Sequence, residues 1–319
     1  MSVMPGSMDY LTANCTDSTL FGSPACAVPV PDGDPGCDAV DRLVAEAMAQ
    51  ALSANTRRAY RTGWRSWAAW AESRGAPALG AGPEHIARWL ATLFLEGKKP
   101  TTLSTYLSAV ARGLDSQPGP NPARHHEVRL VLAGLKRRAA ENGHRPRQAD
   151  PLCQSHIDQI IDTAHRPRRN QPGGRQETPQ QAEERALYDI AMIAVAHNAA
   201  LRRSELLAIK WADINPPQPG GCWTVLIGRS KTDQTGQGAY APISDSTAQA
   251  LTNIKPANVL PHDPIFDISP STATRRLKAA AQAAGIDPTN ITSHSPRIGM
   301  AQDLAAWGTD LPGLILTGR

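Results

Sequence analysis

The sequence predicts a mainly α-helical protein with one small antiparallel β-sheet, divided into an all-helical domain and an α+β domain. Three observations predict it. Apolar residues recur at helical spacing for about a hundred residues from Ala39 onward. Further along, two short segments of period two, WTVLIG and AYAPI, flank the turn-rich run SKTDQTGQG. Between the helical stretch and the sheet lies HRPRQADPL, too rich in proline and charge to pack as helix.

Taken in order, residues 1–38 are rich in Pro, Gly, Ser, Asp and Thr without a sustained period, and read as a disordered leader. The helical domain is expected over 39–143. Its first strong helix lies in SANTRRAYRTGWRSWAAWAESRG, where Tyr60, Trp64, Trp67 and Ala71 share one face and Ser53 or Asn55 is available as a cap. A second fits PEHIARWLATLFLEG, with Pro83 at its start and Gly97 past its end. A third fits TTLSTYLSAVARGL, and a fourth fits PARHHEVRLVLAGLKRRAAENG.

The linker is placed at 144–152 and the second domain at 153–319. That domain opens with a short helix around SHIDQIIDTA, followed by the basic loop RPRRNQPGGRQETPQQ. An apolar helix covers about 181–198, then comes the hairpin. Helices resume at STAQALTNI, STATRRLKAAAQAAG and PRIGMAQDLAAWG.

Composition narrows the class. A hydrophobic fraction of 41% and a charged fraction of 19% suit a globular chain. No apolar run approaches the ~18 residues of a membrane span, and no basic stretch leads into an apolar one at the N-terminus. A cytoplasmic, nucleoid-associated protein is expected. Cys15, Cys26, Cys37, Cys153 and Cys222 match no metal or disulfide framework, so free thiols and no metal are expected. Residues 1–52 carry −6 while the whole chain carries +4, which leaves +10 on the remainder. A basic body behind an acidic leader points to a polyanionic partner.

Three fragments carry chemistry. In ALRRSELLAIKWADI, Arg202 stands at a helix start with Glu205 three residues on. In GRSKTDQTGQG, Lys231 sits where the strand enters the turn. In TSHSPRIGMAQDLAAWG, His294 and Arg297 are three apart at another helix start. Singly, each is an ordinary surface feature; an Arg–Glu pair at that spacing contributes a few tenths of a kcal/mol.

Together, in this order, they closely resemble the tyrosine recombinase (phage integrase) family. That family carries an Arg in a GLR-x-SEL-type motif, a Lys on a β-hairpin, and a His-x-x-Arg pair. The resemblance covers the chain from about residue 40 to its end and includes the first domain, where Thr56, Tyr60, Trp64 and Trp70 look like the family's first-helix pattern. It implies a helical core-binding (SAM-like) domain ahead of the recombinase catalytic domain. It also implies Arg202, Lys231, His294 and Arg297 as catalytic residues, with Glu205 supporting them. Two departures are mild: Ala200 stands where the family prefers Gly, and Pro296 falls within His-x-x-Arg.

The chemistry fits those residue types. Strand cleavage builds negative charge on the non-bridging phosphate oxygens, which two arginines hold by forked, permanently charged bonds. Preorganised donors of this kind contribute ~3–4 kcal/mol each. A Lys ammonium can protonate the leaving 5′-oxygen, His294 can donate to the phosphate, and Glu205 can orient its cationic neighbours. No cofactor is required.

The family's nucleophilic Tyr follows a Gly-Arg like Gly318-Arg319, and the sequence stops there. Tyr10, Tyr60, Tyr106, Tyr188 and Tyr240 all precede His294, so no nucleophile is assigned and an inactive, C-terminally truncated recombinase is expected. The alternative is a non-catalytic DNA-binding protein that occupies recombination sites. By resemblance the partner is double-stranded DNA, enclosed by a two-domain clamp, with a homotetramer formed by the complete protein. Phosphate contacts are expected from Arg57, Arg58, Arg61, Lys98, Lys99 and Lys136, and from linker Arg145 and Arg147. The apolar segment 311–316 is expected to open the helix leading to the Tyr.

Overall fold

The computed structural model describes residues 42, 43, 47, 51–145, 148–169, 174–228 and 238–310. The leader, Arg147, Lys231 and the segment 311–319 lie outside the described residues. The chain divides into two units, Met1–Arg145 and Pro146–Arg319.

In the first unit, α1 (Ala54–Ser73) starts at Ser53, whose hydroxyl accepts the Thr56 N–H at 3.1 Å. Helices α2 (Pro83–Leu95) and α3 (Pro100–Leu114) both begin on a proline, where the missing N–H costs nothing. The Tyr60–Trp64–Trp67–Ala71 face turns inward as its spacing predicts, with Trp67 and Ala71 fully buried. Trp89 of α2 meets Trp67 edge-on at 5.5 Å and stacks with Tyr106 of α3 at 6.4 Å. Such pairs add about 0.5–1.5 kcal/mol beyond burial. Trp67 also donates its indole N–H to the Ala78 carbonyl at 3.0 Å, which leaves that buried polar group satisfied.

The fourth expected helix is interrupted. Residues Pro122–Arg124 form a single 3₁₀ turn, and α4 (His126–Glu141) starts afresh. The break is at His125, whose extended backbone (ψ 148°) ends the turn while its ring accepts the Glu127 N–H at 3.4 Å. Asn121 and Arg124 are tied back to Asp115 by hydrogen bonds of 2.9–3.1 Å, so this corner is held by polar side chains.

In the second unit, α5 (Gln154–Ala164) and α6 (Pro179–Asn198) pack together, and a four-residue helix α7 (Arg203–Leu206) follows. The sheet has the order β1–β2–β3, all antiparallel, from β1 (Ile214–Asn215), β2 (Trp223–Ile227) and β3 (Ala239–Ile243). Val225 pairs with Ile214 on one side and Ala241 on the other. The two-residue β1 is absent from the sequence reading because it is too short to show a period. Helices α8 (Asp245–Asn253), α9 (Pro270–Ala283) and α10 (Ser295–Ala306) follow. Val225, Ile227, Ala241 and Ile243 join Met192, Val195, Phe266 and Leu277 in its core.

Two features place the site. Asp150 and Leu152, within the stretch expected as linker, belong to the second unit: their N–H groups bond the carbonyls of Asn290 and Ser295, and Leu152 is fully buried. Asp189 on α6, 1% exposed, is held by Arg276 of α9 at 2.7 Å and lies 3.5 Å from Arg168. A carboxylate so deeply buried persists only because guanidinium groups surround it. Among the described residues, no helix is long and apolar enough to cross a membrane.

Candidate active site

Arg202 is the N-cap of α7, and Glu205 folds back beneath it. One Glu205 carboxylate oxygen accepts the Arg202 backbone N–H at 2.9 Å, and the other accepts the guanidinium Nη1 at 2.7 Å. Glu205 is 5% exposed, so a buried carboxylate fixes the base of the Arg202 side chain and fills the cap of the helix in one contact. Short charge-assisted bonds of this kind are about twice as strong as neutral ones.

Arg297 arrives from the first turn of α10, where Pro296 is accommodated at a helix start. Its Nη1 donates to the Ala200 carbonyl, two residues before Arg202. The structure therefore brings the two arginines to the same turn of chain although they lie far apart in sequence. Ala200 has φ +48°, the only non-glycine residue with positive φ among the described residues. That conformation accounts for a glycine preference here: a Cβ in the left-handed region costs roughly 1–2 kcal/mol.

His294 caps α10 and is exposed. Its setting comes from the T-x-H-S sequence: Thr292 Oγ1 accepts the His294 N–H at 3.1 Å, and Ser295 Oγ accepts the Thr292 N–H at 2.9 Å. Ser295 is fully buried and its carbonyl takes the Leu152 N–H at 2.9 Å. Gly299, one turn on, lies directly on the Leu152 carbonyl; a Cβ there would stand 1.8 Å from that oxygen. His294 and Arg297 thus ride on a helix end pressed against the start of the unit. Lys231 belongs to the hairpin segment outside the described residues, and the strands on either side of it, β2 and β3, run side by side.

The sequence reading missed a basic cleft of about 550 Å³ lined by Arg203, Ser271, Thr274, Arg275, Lys278 and Gln282. It adjoins the Arg202 turn through Arg203. The signal was available in STATRRLKAAAQAAG: Ser271, Thr274, Arg275, Lys278 and Gln282 fall on one helical face, opposite buried Ala273, Leu277 and Ala280.

In the first unit, Arg57, Arg58 and Arg61 lie along α1, Lys98 and Lys99 in the turn before α3, Lys136 on α4 and Arg145 beyond it. All are exposed except the half-buried Arg57. Among the described residues, no cluster of His, Cys, Asp and Glu has the geometry to hold a metal ion.

Known proteins give this arrangement a context. Residues 152–315 match the profile of the phage integrase family, and residues 46–113 match the phage integrase N-terminal SAM-like domain. The recombinase Cre of Escherichia phage P1 is 23% identical over 295 residues, spanning 84% of this chain and 81% of that protein. An integrase/recombinase XerD homologue of Selenomonas ruminantium is 25% identical over 279 residues, 80% of this chain and 75% of its own. Among solved structures, the XerH site-specific recombinase in a post-cleavage complex with its palindromic difH substrate shares the fold with a TM-score of 0.57. It is 13% identical, covering 88% of this chain and 76% of that one. The Tn1549 transposon integrase in complex with transposon right-end DNA matches with the same TM-score and identity, covering 88% and 90%. With just over half of its length matched to the catalytic-domain profile, and the SAM-like domain ahead of it, this chain belongs to the phage integrase family.

Proposed function

We propose that the chain supplies the phosphate-binding groups of a site for site-specific DNA recombination by the tyrosine recombinase route, in which a strand is cut and rejoined through a 3′-phosphotyrosine bond. Arg202 and Arg297 hold the non-bridging oxygens of the scissile phosphate, His294 donates to the same group, and Lys231 protonates the leaving 5′-oxygen. Glu205 orients Arg202. None of the chain's five tyrosines is assigned the nucleophile's role. The observation that carries this reading is the Arg297–Ala200 bond, which draws the second arginine to the turn that presents the first.

Double-stranded DNA is the partner. Arg203, Arg275 and Lys278 extend the phosphate-binding surface along α9, with Thr274 and Gln282 as uncharged polar groups of the same cleft. Arg57, Arg58, Arg61, Lys98, Lys99, Lys136, Arg145 and Arg147 supply further backbone contacts. Recombination on two duplexes calls for a homotetramer, and the reaction belongs in the cytoplasm with the nucleoid.

A salt titration tests the reading. Log affinity for a mixed-sequence duplex falls linearly with log salt, at a slope near −0.9 per phosphate neutralised. Absence of binding at any salt overturns it.

A further inference from the structure

The end of α10 opposite the active site carries a polar cluster that strand cleavage does not use. Asp303 Oδ2 receives two donors at once: the Gln154 backbone N–H at the start of α5, at 2.8 Å, and His197 Nε2 at the end of α6, at 2.9 Å. His197 is 1% exposed. Beside them the Cys153 thiol donates to Gln302 Oε1 at 3.4 Å.

His197 and Asp303 mirror the catalytic end. Ala200, which takes Arg297, lies three residues after His197; Asp303 lies six residues after Arg297 on α10, a rise of about 9 Å. Helix α10 is therefore attached to the end of α6 at two points. Between them Gly299 packs on the Leu152 carbonyl with no side chain to interlock. A glycine contact sets how closely the helix approaches but resists little sliding or rolling. Those motions are limited by the polar bonds on either side, the Leu152 N–H on the Ser295 carbonyl among them.

We propose that Asp303 is a positioning residue for the catalytic phosphate grip: by holding His197 and the first N–H of α5, it fixes the register and roll of α10 and so the aim of Arg297. The proposal rests on the reading that Arg297 holds a DNA phosphate. Burial pushes the His197 imidazole below its ordinary range, against the pull of Asp303. A neutral ring facing a carboxylate carries its proton on Nε2. The buried Nδ1, which has no partner among the described residues, then bears no hydrogen to satisfy. The contact is thus a directional hydrogen bond, suited to setting position.

The test uses the full chain and a mixed-sequence DNA duplex, reading the slope of log affinity against log salt, with thermal unfolding to show that each variant is folded at the assay temperature. Arg297→Ala is the reference and lowers the slope by about 0.9, one phosphate contact. Asp303→Ala gives the same loss although the Arg297 side chain is retained. Asp303→Asn restores the wild-type slope, because the amide oxygen can accept both donors. A folded Asp303→Ala protein with the wild-type slope overturns the proposal and leaves the phosphate reading intact. An Arg297→Ala protein with the wild-type slope overturns both. Should Asp303→Ala not fold, His197→Leu decides by the same criterion, since it keeps the buried volume and removes the donor.

Discussion

Arg297 donates its guanidinium to the carbonyl of Ala200, and Ala200 is held at φ +48° to present it. The contact joins the first turn of α10 to the turn that carries Arg202, so a strained backbone and a candidate catalytic side chain depend on each other. Ala200→Gly relieves the Cβ strain while leaving the carbonyl in place. Set against the greater freedom of glycine in the unfolded chain, the net gain is up to ~1 kcal/mol. Chemical denaturation measures it, and duplex affinity stays at the wild-type value.

Gly299→Ala acts in the opposite direction. The added methyl meets the Leu152 carbonyl and the Cys153 backbone, neither of which is the free end of a flexible side chain. Overpacking of this kind costs about 1–3 kcal/mol or more. Thermal unfolding reports the loss, and the displaced α10 carries Arg297 with it, so the salt slope of DNA binding also falls.

Asp189→Ala removes the shared acceptor of Arg276 and Arg168 and leaves Glu177, already paired with Arg185, as the carboxylate beside these largely buried guanidinium groups. Breaking a buried pair from one side costs about 3–5 kcal/mol. Denaturant unfolding of the variant checks this figure, and a loss below ~1 kcal/mol contradicts the role given to Asp189.

His197 makes stability depend on pH. Burial lowers its pKa in the folded chain, with Asp303 and the more distant Asp158 opposing. The unfolded chain therefore binds the proton more readily, and stability rises with pH wherever that difference operates. The contribution is complete above the ordinary histidine value of about 6.5 and is lost as pH falls below it. Unfolding free energies across this range, for wild type and His197→Leu, isolate the effect: the variant shows the shallower decline.

The architecture was legible in the sequence where periodicity was long or punctuation strong. The Trp64–Trp67–Ala71 face, the proline start of α2, and the WTVLIG–AYAPI pairing stand as read, whereas α3 begins one residue ahead of TTLSTYLSAVARGL, on Pro100. The break at His125 was not legible, because PARHHEVRL carries helical spacing across it and only one residue's backbone conformation interrupts it. Of the site, the order and spacing of Arg202, Glu205, His294 and Arg297 were visible. What joins them was not: the Arg297–Ala200 bond, the left-handed Ala200 and the Gly299–Leu152 approach are long-range contacts that leave no local pattern. The basic face of α9 was visible in principle and passed over, because an amphipathic helix with a charged face is the ordinary case.

The most direct test of the account is a double-mutant cycle on duplex binding with Arg202→Ala, Arg297→Ala and the pair, measured at fixed low salt. Two guanidinium groups that share one phosphate are coupled, so the losses are non-additive by about 0.5–3 kcal/mol. Losses that add within ~0.5 kcal/mol place the two arginines on separate phosphates and contradict a shared grip.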